Sequence, residues 1–218
     1  MSDIPAGVCF DMDGVLVQSE DHWVRAQRED ILPTAAPNDD IPVAAITGRD
    51  YTEVYPDLAA EYDLEIDREA FEALFEEHGE RIYGEHATLL PGAHDLLSDL
   101  RAAGVALALT TSAPWAWIDV VDERFDILSK FDAAVSAEDV DGPGKPAPDI
   151  YERGAAELGL APEDCWAVED STMGARAAVA AGLRTVGFRG DGDETDLSMV
   201  HAVAADAETL RELLLGGV

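Results

Sequence analysis

Residues 6–20 read AGVCFDMDGVLVQSE. The first five are small or apolar without a break, which suits a strand covered on both faces. Asp11 and Asp13 leave its end one residue apart, and Gly14 follows at once, letting the chain turn sharply. Unpaired charge of this kind has no place in a core, so the two carboxylates call for a cation, a proton or both. A polar strand end closed by an Asp-Gly turn is the plain alternative.

The same pattern recurs downstream. GVALALT runs into Thr111 and CWAV into Glu169 and Asp170, while AAV near Val135, RTVGF near Val186 and HAVA at 201–204 are weaker strands, the last at an edge. Helical patterns separate them. Leu96, Leu97 and Leu100 precede Gly104, Leu158 precedes Gly159, and the Ala-rich stretch 173–181 ends at Gly182, each glycine placed to stop a helix. Strand and helix in alternation predict an α/β fold with a parallel sheet.

Between Asp13 and about Pro91 the reading is helix without a strand. Tyr51, Val54, Tyr55, Leu58 and Tyr62 fall at offsets 0, 3, 4, 7 and 11, and Phe71, Leu74, Phe75 and Ile82 at 0, 3, 4 and 11. PTAAPNDDIP, residues 33–42, reads as a loop with three prolines. An insertion after the first strand is expected over the carboxyl ends of the sheet, where open α/β folds bind ligands, and so is a candidate lid. The acidic run RGDGDETD, 189–196, reads as a solvated surface turn, lacking the spacing of a calcium loop.

Composition narrows the function. Lys and Arg number 14 against 46 Asp and Glu in 218 residues, a net charge of −32. Such a field repels phosphate backbones and anionic lipid, so neither nucleic acid nor a membrane is an expected partner. No apolar run reaches the ~18–20 residues of a membrane span, and the acidic start MSDIPAGVCF is no secretory signal. A soluble, cytoplasmic protein is expected. Twelve of the 14 basic residues are Arg and only Lys130 and Lys145 are Lys; with so many carboxylates this suggests a halophilic source, an acidic mesophilic one being the alternative. Cys9 and Cys165 sit in strand-like runs and read as reduced core thiols.

Asp11, Asp13, Glu169 and Asp170 all fall at strand ends. Four carboxylates converging on one edge would supply the oxygen ligands that Mg2+ prefers and leave room for water and a phosphate. Thr111 and Ser112 offer a hydroxyl and backbone N–H groups to an anionic oxygen. Lys145, in GPGKPAPDIY, is aimed by flanking prolines ahead of a helix beginning near Pro148. In a chain that writes its positive charge as Arg, this Lys suggests a need for a compact point charge, although a surface lysine is the ordinary alternative.

DxDGV, a Thr/Ser strand end, Lys-Pro and Glu-Asp-Ser, in that order, form the motif set of the haloacid dehalogenase superfamily. The sequence resembles its phosphatase branch, in the β-phosphoglucomutase-like and phosphoglycolate-phosphatase-like group, with motifs from residue 10 to 174 including VLVQSE, KPAPDIY and VEDSTMGARAAVAAGL. The resemblance implies a Rossmann-like core over 1–17 and 88–218 with a helical cap over 18–87, acting on a small phosphorylated metabolite. Asp11 is then the nucleophile that forms an aspartyl-phosphate and Asp13 the acid/base, whose backbone carbonyl also ligates Mg2+. Asp170 completes the metal site, with Glu169 a direct ligand or an acceptor from metal-bound water. Thr111 and the Ser112 amide hold the transferring phosphoryl group, and Lys145 offsets the negative charges. Asp13 speaks against the dehalogenase branch, because a halide leaves without a proton.

The cap matches less closely. Where mutase members carry a histidine, gapless alignment places Trp23, with His22 one position early; a one-residue shift turns a helical side chain by about 100°. Trp23 then reads as a packing aromatic. ITGRDY, 46–51, resembles the cap loop that closes over substrate, where Arg49 could meet a second anionic group, the alternative being an arginine that is solvated or paired with Asp50. Trp115 and Trp117 line an entrance or, more plainly, pack. The expected activity is Mg2+-dependent hydrolysis of a phosphate monoester; a phosphosugar mutase, or a catalytically idle phospho-ligand-binding protein on the same scaffold, are the alternatives.

Overall fold

The computed structural model describes residues 4–46, 49–189 and 195–216. The strands are β1 (Gly7–Phe10), β2 (Val17–Gln18), β3 (Thr88–Leu89), β4 (Ala106–Thr111), β5 (Ala133–Ser136), β6 (Cys165–Glu169), β7 (Arg184–Phe188) and β8 (Ala202–Ala204). Six of them form one parallel sheet in the order β5-β4-β1-β6-β7-β8, which makes the fold α/β and Rossmann-like. β1 lies at its middle, and Val8, Cys9 and Phe10 have no exposed surface, which is why this strand is continuously apolar.

The helices are α1 (Glu20–Ala26), α2 (Leu32–Ala35), α3 (Tyr51–Glu61), α4 (Arg68–Arg81), α5 (Ala93–Ala102), α6 (Trp115–Phe125), α7 (Asp149–Glu157), α8 (Thr172–Ala180) and α9 (Ala207–Leu215). One compact unit comprises Met1–Gln18 and Thr88–Val218; the other is Ser19–Ala87. In the first, Cys9, Ala108 and Ala167 stand opposite one another across three strands, a row of small side chains against which α7 and α8 pack. Gly154 lets α7 come close, because a Cβ there would lie 2.6 Å from the Thr110 methyl carbon. Cys9 and Cys165 are buried free thiols, and burial pushes the Cys165 thiol up to about 11. No helix among the described residues is long and apolar enough to cross a membrane.

The Ser19–Ala87 unit is helical. α3 and α4 carry the expected periodicities, and Asp50 and Asp67 cap them by accepting from the Thr52 and Ala70 amides. Trp23 packs on Phe75 and Tyr83 and donates to the Tyr83 hydroxyl at 3.1 Å.

Two expectations need correction. β2 and β3 pair antiparallel inside the stretch read as free of strands; at two residues each they are too short to show a period. The expected loop at 33–42 begins late, because α1 continues through a π-helical turn (Gln27–Ile31) into α2, which ends at Ala35. Pro33 sits at the start of α2, where its missing N–H is best tolerated. The acidic run 189–196 lies mostly outside the described residues.

Candidate active site

Register brings the motif ends together. Phe10 is opposite Leu109 on one side and Val168 on the other, so Asp11, the Thr110–Thr111 end and Glu169 emerge from three adjacent strands at one level. Two further bonds tie the level: the Asp11 amide donates to the Val168 carbonyl at 3.0 Å, and Thr110 Oγ1 to the Phe10 carbonyl at 3.2 Å.

Lys145 enters this edge from the loop before α7, its peptide bond to Pro146 being cis. Its side chain is 7% exposed, and Nζ donates to Asp11 Oδ1 at 2.7 Å and to Glu169 Oε1 at 2.5 Å. Burial opposes the ammonium charge, but Asp11 and Glu169 outweigh it and hold Lys145 above its ordinary value. Burial pushes the Asp11 carboxyl up to about 8, against the pull of Lys145 and with Glu169 and Asp13 adding to the rise. Two acidic groups thus share one buried cation, a charge excess that invites another positive group.

Glu169 is completely buried, and both its oxygens are engaged. Oε1 accepts from Lys145 and from the Tyr151 hydroxyl at 2.6 Å; Oε2 accepts from Ser171 Oγ at 3.1 Å and the Ser171 amide at 3.3 Å. Ser171 also caps α8, accepting from the Gly174 amide at 2.9 Å. Gly174 is required there, because a Cβ would overlap the Glu169 carboxylate. Gly14 does the same for Asp170: its φ is +71°, and a Cβ would overlap the Asp170 carboxylate. Oxygens of Asp11, Glu169 and Asp170 lie within 4.8 Å of one another. This all-oxygen, acidic donor set fits a hard divalent cation, and within it Glu169 is also bonded to Lys145, Tyr151 and Ser171.

A family model for haloacid dehalogenase-like hydrolases matches residues 5–182. The chain belongs to this family. It is 35% identical over 212 residues to hexitol phosphatase A of Escherichia coli (strain K12), covering 94% of this chain and 92% of that one. It is 30% identical over 179 residues to the phosphorylated carbohydrates phosphatase of Thermotoga maritima, covering 82% of each. Among solved structures, a HAD family hydrolase from Deinococcus radiodurans R1 with bound phosphate and sodium superposes with a TM-score of 0.73 at 27% identity, over 98% of this chain and 97% of that one. The haloacid dehalogenase-like chain described here falls in the phosphatase branch and is a phosphoric monoester hydrolase.

The remaining candidate residues of this hydrolase are placed as follows. Thr111 is 1% exposed, and its Oγ1 accepts from the Ala113 amide at 3.0 Å, which leaves its own proton to donate. Ser112 follows at the strand end and is half-buried. Asp13 is half-buried in the tight turn where the Gly14 amide donates to the Val17 carbonyl at 2.8 Å. Its side chain is outside the three-carboxylate cluster, which does not bear on its backbone carbonyl. Arg49, in the helical unit, pairs with Asp57 at 2.5 Å rather than with Asp50, which is committed to Thr52. His22 stacks on His86, with ring centroids 5.5 Å apart. Trp117 is buried in α6, and Trp115 Nε1 donates to Asp139 at 3.0 Å, so both pack or anchor within the core unit. The sequence reading gave no role to Tyr151 or to the Ser171 hydroxyl. Both lie inside quoted motifs, but no spacing rule shows that they converge on Glu169.

Proposed function

We propose that this hydrolase removes phosphate from a small sugar or polyol phosphate in the cytoplasm, with Mg2+ as cofactor and an aspartyl-phosphate on Asp11 as intermediate. The observation that carries this reading is Lys145 bridging Asp11 and Glu169 at a buried strand edge beside Asp170. The sugar-phosphate class is supported by the names of the two relatives, which act on hexitol phosphates and phosphorylated carbohydrates.

Asp11 and Asp170, with the Asp13 backbone carbonyl, would hold Mg2+, and Glu169 would stand behind them. When bound, the ion offsets the negative charge of phosphate and carboxylate and draws the Asp11 carboxyl back down from its metal-free value. Asp11 attacks phosphorus as the ester P–O bond breaks, and Asp13 gives its proton to the leaving alkoxide. Asp13 then takes a proton from water as that water attacks the phosphorus, and the P–O bond to Asp11 breaks to release inorganic phosphate. Lys145, the Thr111 hydroxyl and the Ser112 amide hold the phosphoryl oxygens as charge builds on them. In this reading the core unit carries the chemistry and the helical unit selects the substrate. Arg49 meets a second anionic group only by leaving Asp57. Trp23 at the mutase histidine position favours hydrolysis over mutase transfer.

A panel of sugar, polyol and short-acid phosphates, assayed for released phosphate with Mg2+ and with EDTA, tests the reading. Mg2+-dependent release by the parent protein, lost by about 10³-fold or more in a folded Asp11→Asn variant, is expected. Full turnover by Asp11→Asn, or turnover indifferent to EDTA, overturns the mechanism. A panel without sugar or polyol phosphates among its best substrates overturns the substrate class. Arg49→Ala tests that arginine through KM for substrates with a second anionic group.

A further inference from the structure

We propose that Tyr151 is a positioning residue of this centre, holding Glu169 through its hydroxyl and so keeping Lys145 on Asp11; the role rests on the phosphatase reading above. Tyr151 is completely buried in the first turn of α7 among Cys9, Ala108, Val135 and Ala167. A phenylalanine would fill that apolar surround as well, and a hydroxyl there is costly unless it is bonded. It is bonded: it donates to Glu169 Oε1 at 2.6 Å, the oxygen that Lys145 Nζ reaches at 2.5 Å.

The consequence follows from counting lone pairs. Glu169 Oε2 is satisfied by Ser171, and Oε1 divides its capacity between Lys145 and Tyr151. Without the hydroxyl, a fully buried carboxylate oxygen loses one of two donors, and Lys145 is the movable group that can compensate. Lys145 then shifts toward Glu169 and away from Asp11, whose Oδ1 it now meets at 2.7 Å. The ring contributes separately, its centroid lying 5.2 Å from Lys145 Nζ. Gly154, one turn further along α7, seats this helix on the sheet and so fixes the tyrosine's height.

Tyr151→Phe keeps the ring and removes only the hydroxyl; Tyr151→Leu removes both. With p-nitrophenyl phosphate and saturating Mg2+, Tyr151→Phe is expected to lower kcat about 10-fold with KM within about twofold. Its thermal midpoint should stay within a few degrees of the parent's, and Tyr151→Leu should be slower still. Because the hydroxyl acts through Glu169, adding Tyr151→Phe to Glu169→Gln should cost far less than it does alone. Unchanged kcat in Tyr151→Phe, or a loss that adds in full to that of Glu169→Gln, overturns the proposal while leaving the phosphatase reading intact. No turnover by the parent protein overturns both.

Discussion

Lys145 Nζ lies 2.7 Å from Asp11 Oδ1, across 134 residues of sequence, with both side chains less than a tenth exposed. Removing one partner of such a pair leaves the other buried and uncompensated, a loss of about 3–5 kcal/mol. Lys145→Met should therefore be strongly destabilised at neutral pH. The effect has a sign in pH. Lys145 is what holds the Asp11 value down, so without it the folded-state value climbs further above the unfolded one of about 3.9. Parent and variant both hold the Asp11 proton in the folded state from about pH 4 to 8, so they differ above about 8, where the parent has released it and the variant goes on losing stability as pH rises. Urea denaturation at pH 7 and pH 9 checks this: the gap to the parent should widen at the higher pH, and a constant gap would contradict the buried pairing.

Gly14→Ala should impair the metal site specifically. The position has φ +71°, which costs an alanine about 1–2 kcal/mol, and the added Cβ would displace the Asp170 carboxylate. Titration calorimetry with Mg2+ alone should show affinity weakened about tenfold or more. Parent-like affinity would mean that Asp170 does not hold the ion.

Gln27→Leu should stabilise the protein. Gln27 is 7% exposed, and its Oε1 is the one buried side-chain acceptor without a partner among the described residues. An orphaned buried acceptor costs about 1–3 kcal/mol, and leucine fills a similar volume without one. A thermal midpoint raised by a few degrees is expected, and a lowered one would show that the amide is satisfied in solution.

Salt should also stabilise it. A net charge of −32 repels itself, while the ion pairs opposing it, such as Arg25–Glu29 and Arg153–Glu157, are exposed and individually weak. At 1 M salt the screening length falls to about 3 Å, which removes long-range repulsion at the cost of little pairing energy. The thermal midpoint should rise steadily from 0.1 M to 2 M KCl. A midpoint independent of salt would remove the case for a halophilic origin.

Much of the fold was legible because buried parallel strands must be apolar throughout, and GVCF, ALALTT and CWAVE announce themselves in that way. The pair β2 and β3 was not, since two residues carry no period and their pairing depends on chain ends brought together from positions 17 and 89. Arg49 shows the same limit: its context admits an anionic ligand equally with a neighbouring carboxylate, and in the fold Asp50 is taken by Thr52 while Asp57 of α3 takes Arg49.

The order of chemical groups along the chain, carboxylates, hydroxyls, a lysine and carboxylates again, is written in the residues, because the carboxylates and hydroxyls close apolar runs that have no other use for a polar end and the lysine is flanked by prolines. The division of labour between Glu169 and Asp170 is not. Adjacent acids look alike in sequence, and it is folding that surrounds Glu169 with Lys145, Tyr151 and Ser171 and sets Asp170 against Gly14. Lys145 and Tyr151 reach Glu169 from a separate loop and helix, and only packing between segments distant in sequence brings such donors to one carboxylate.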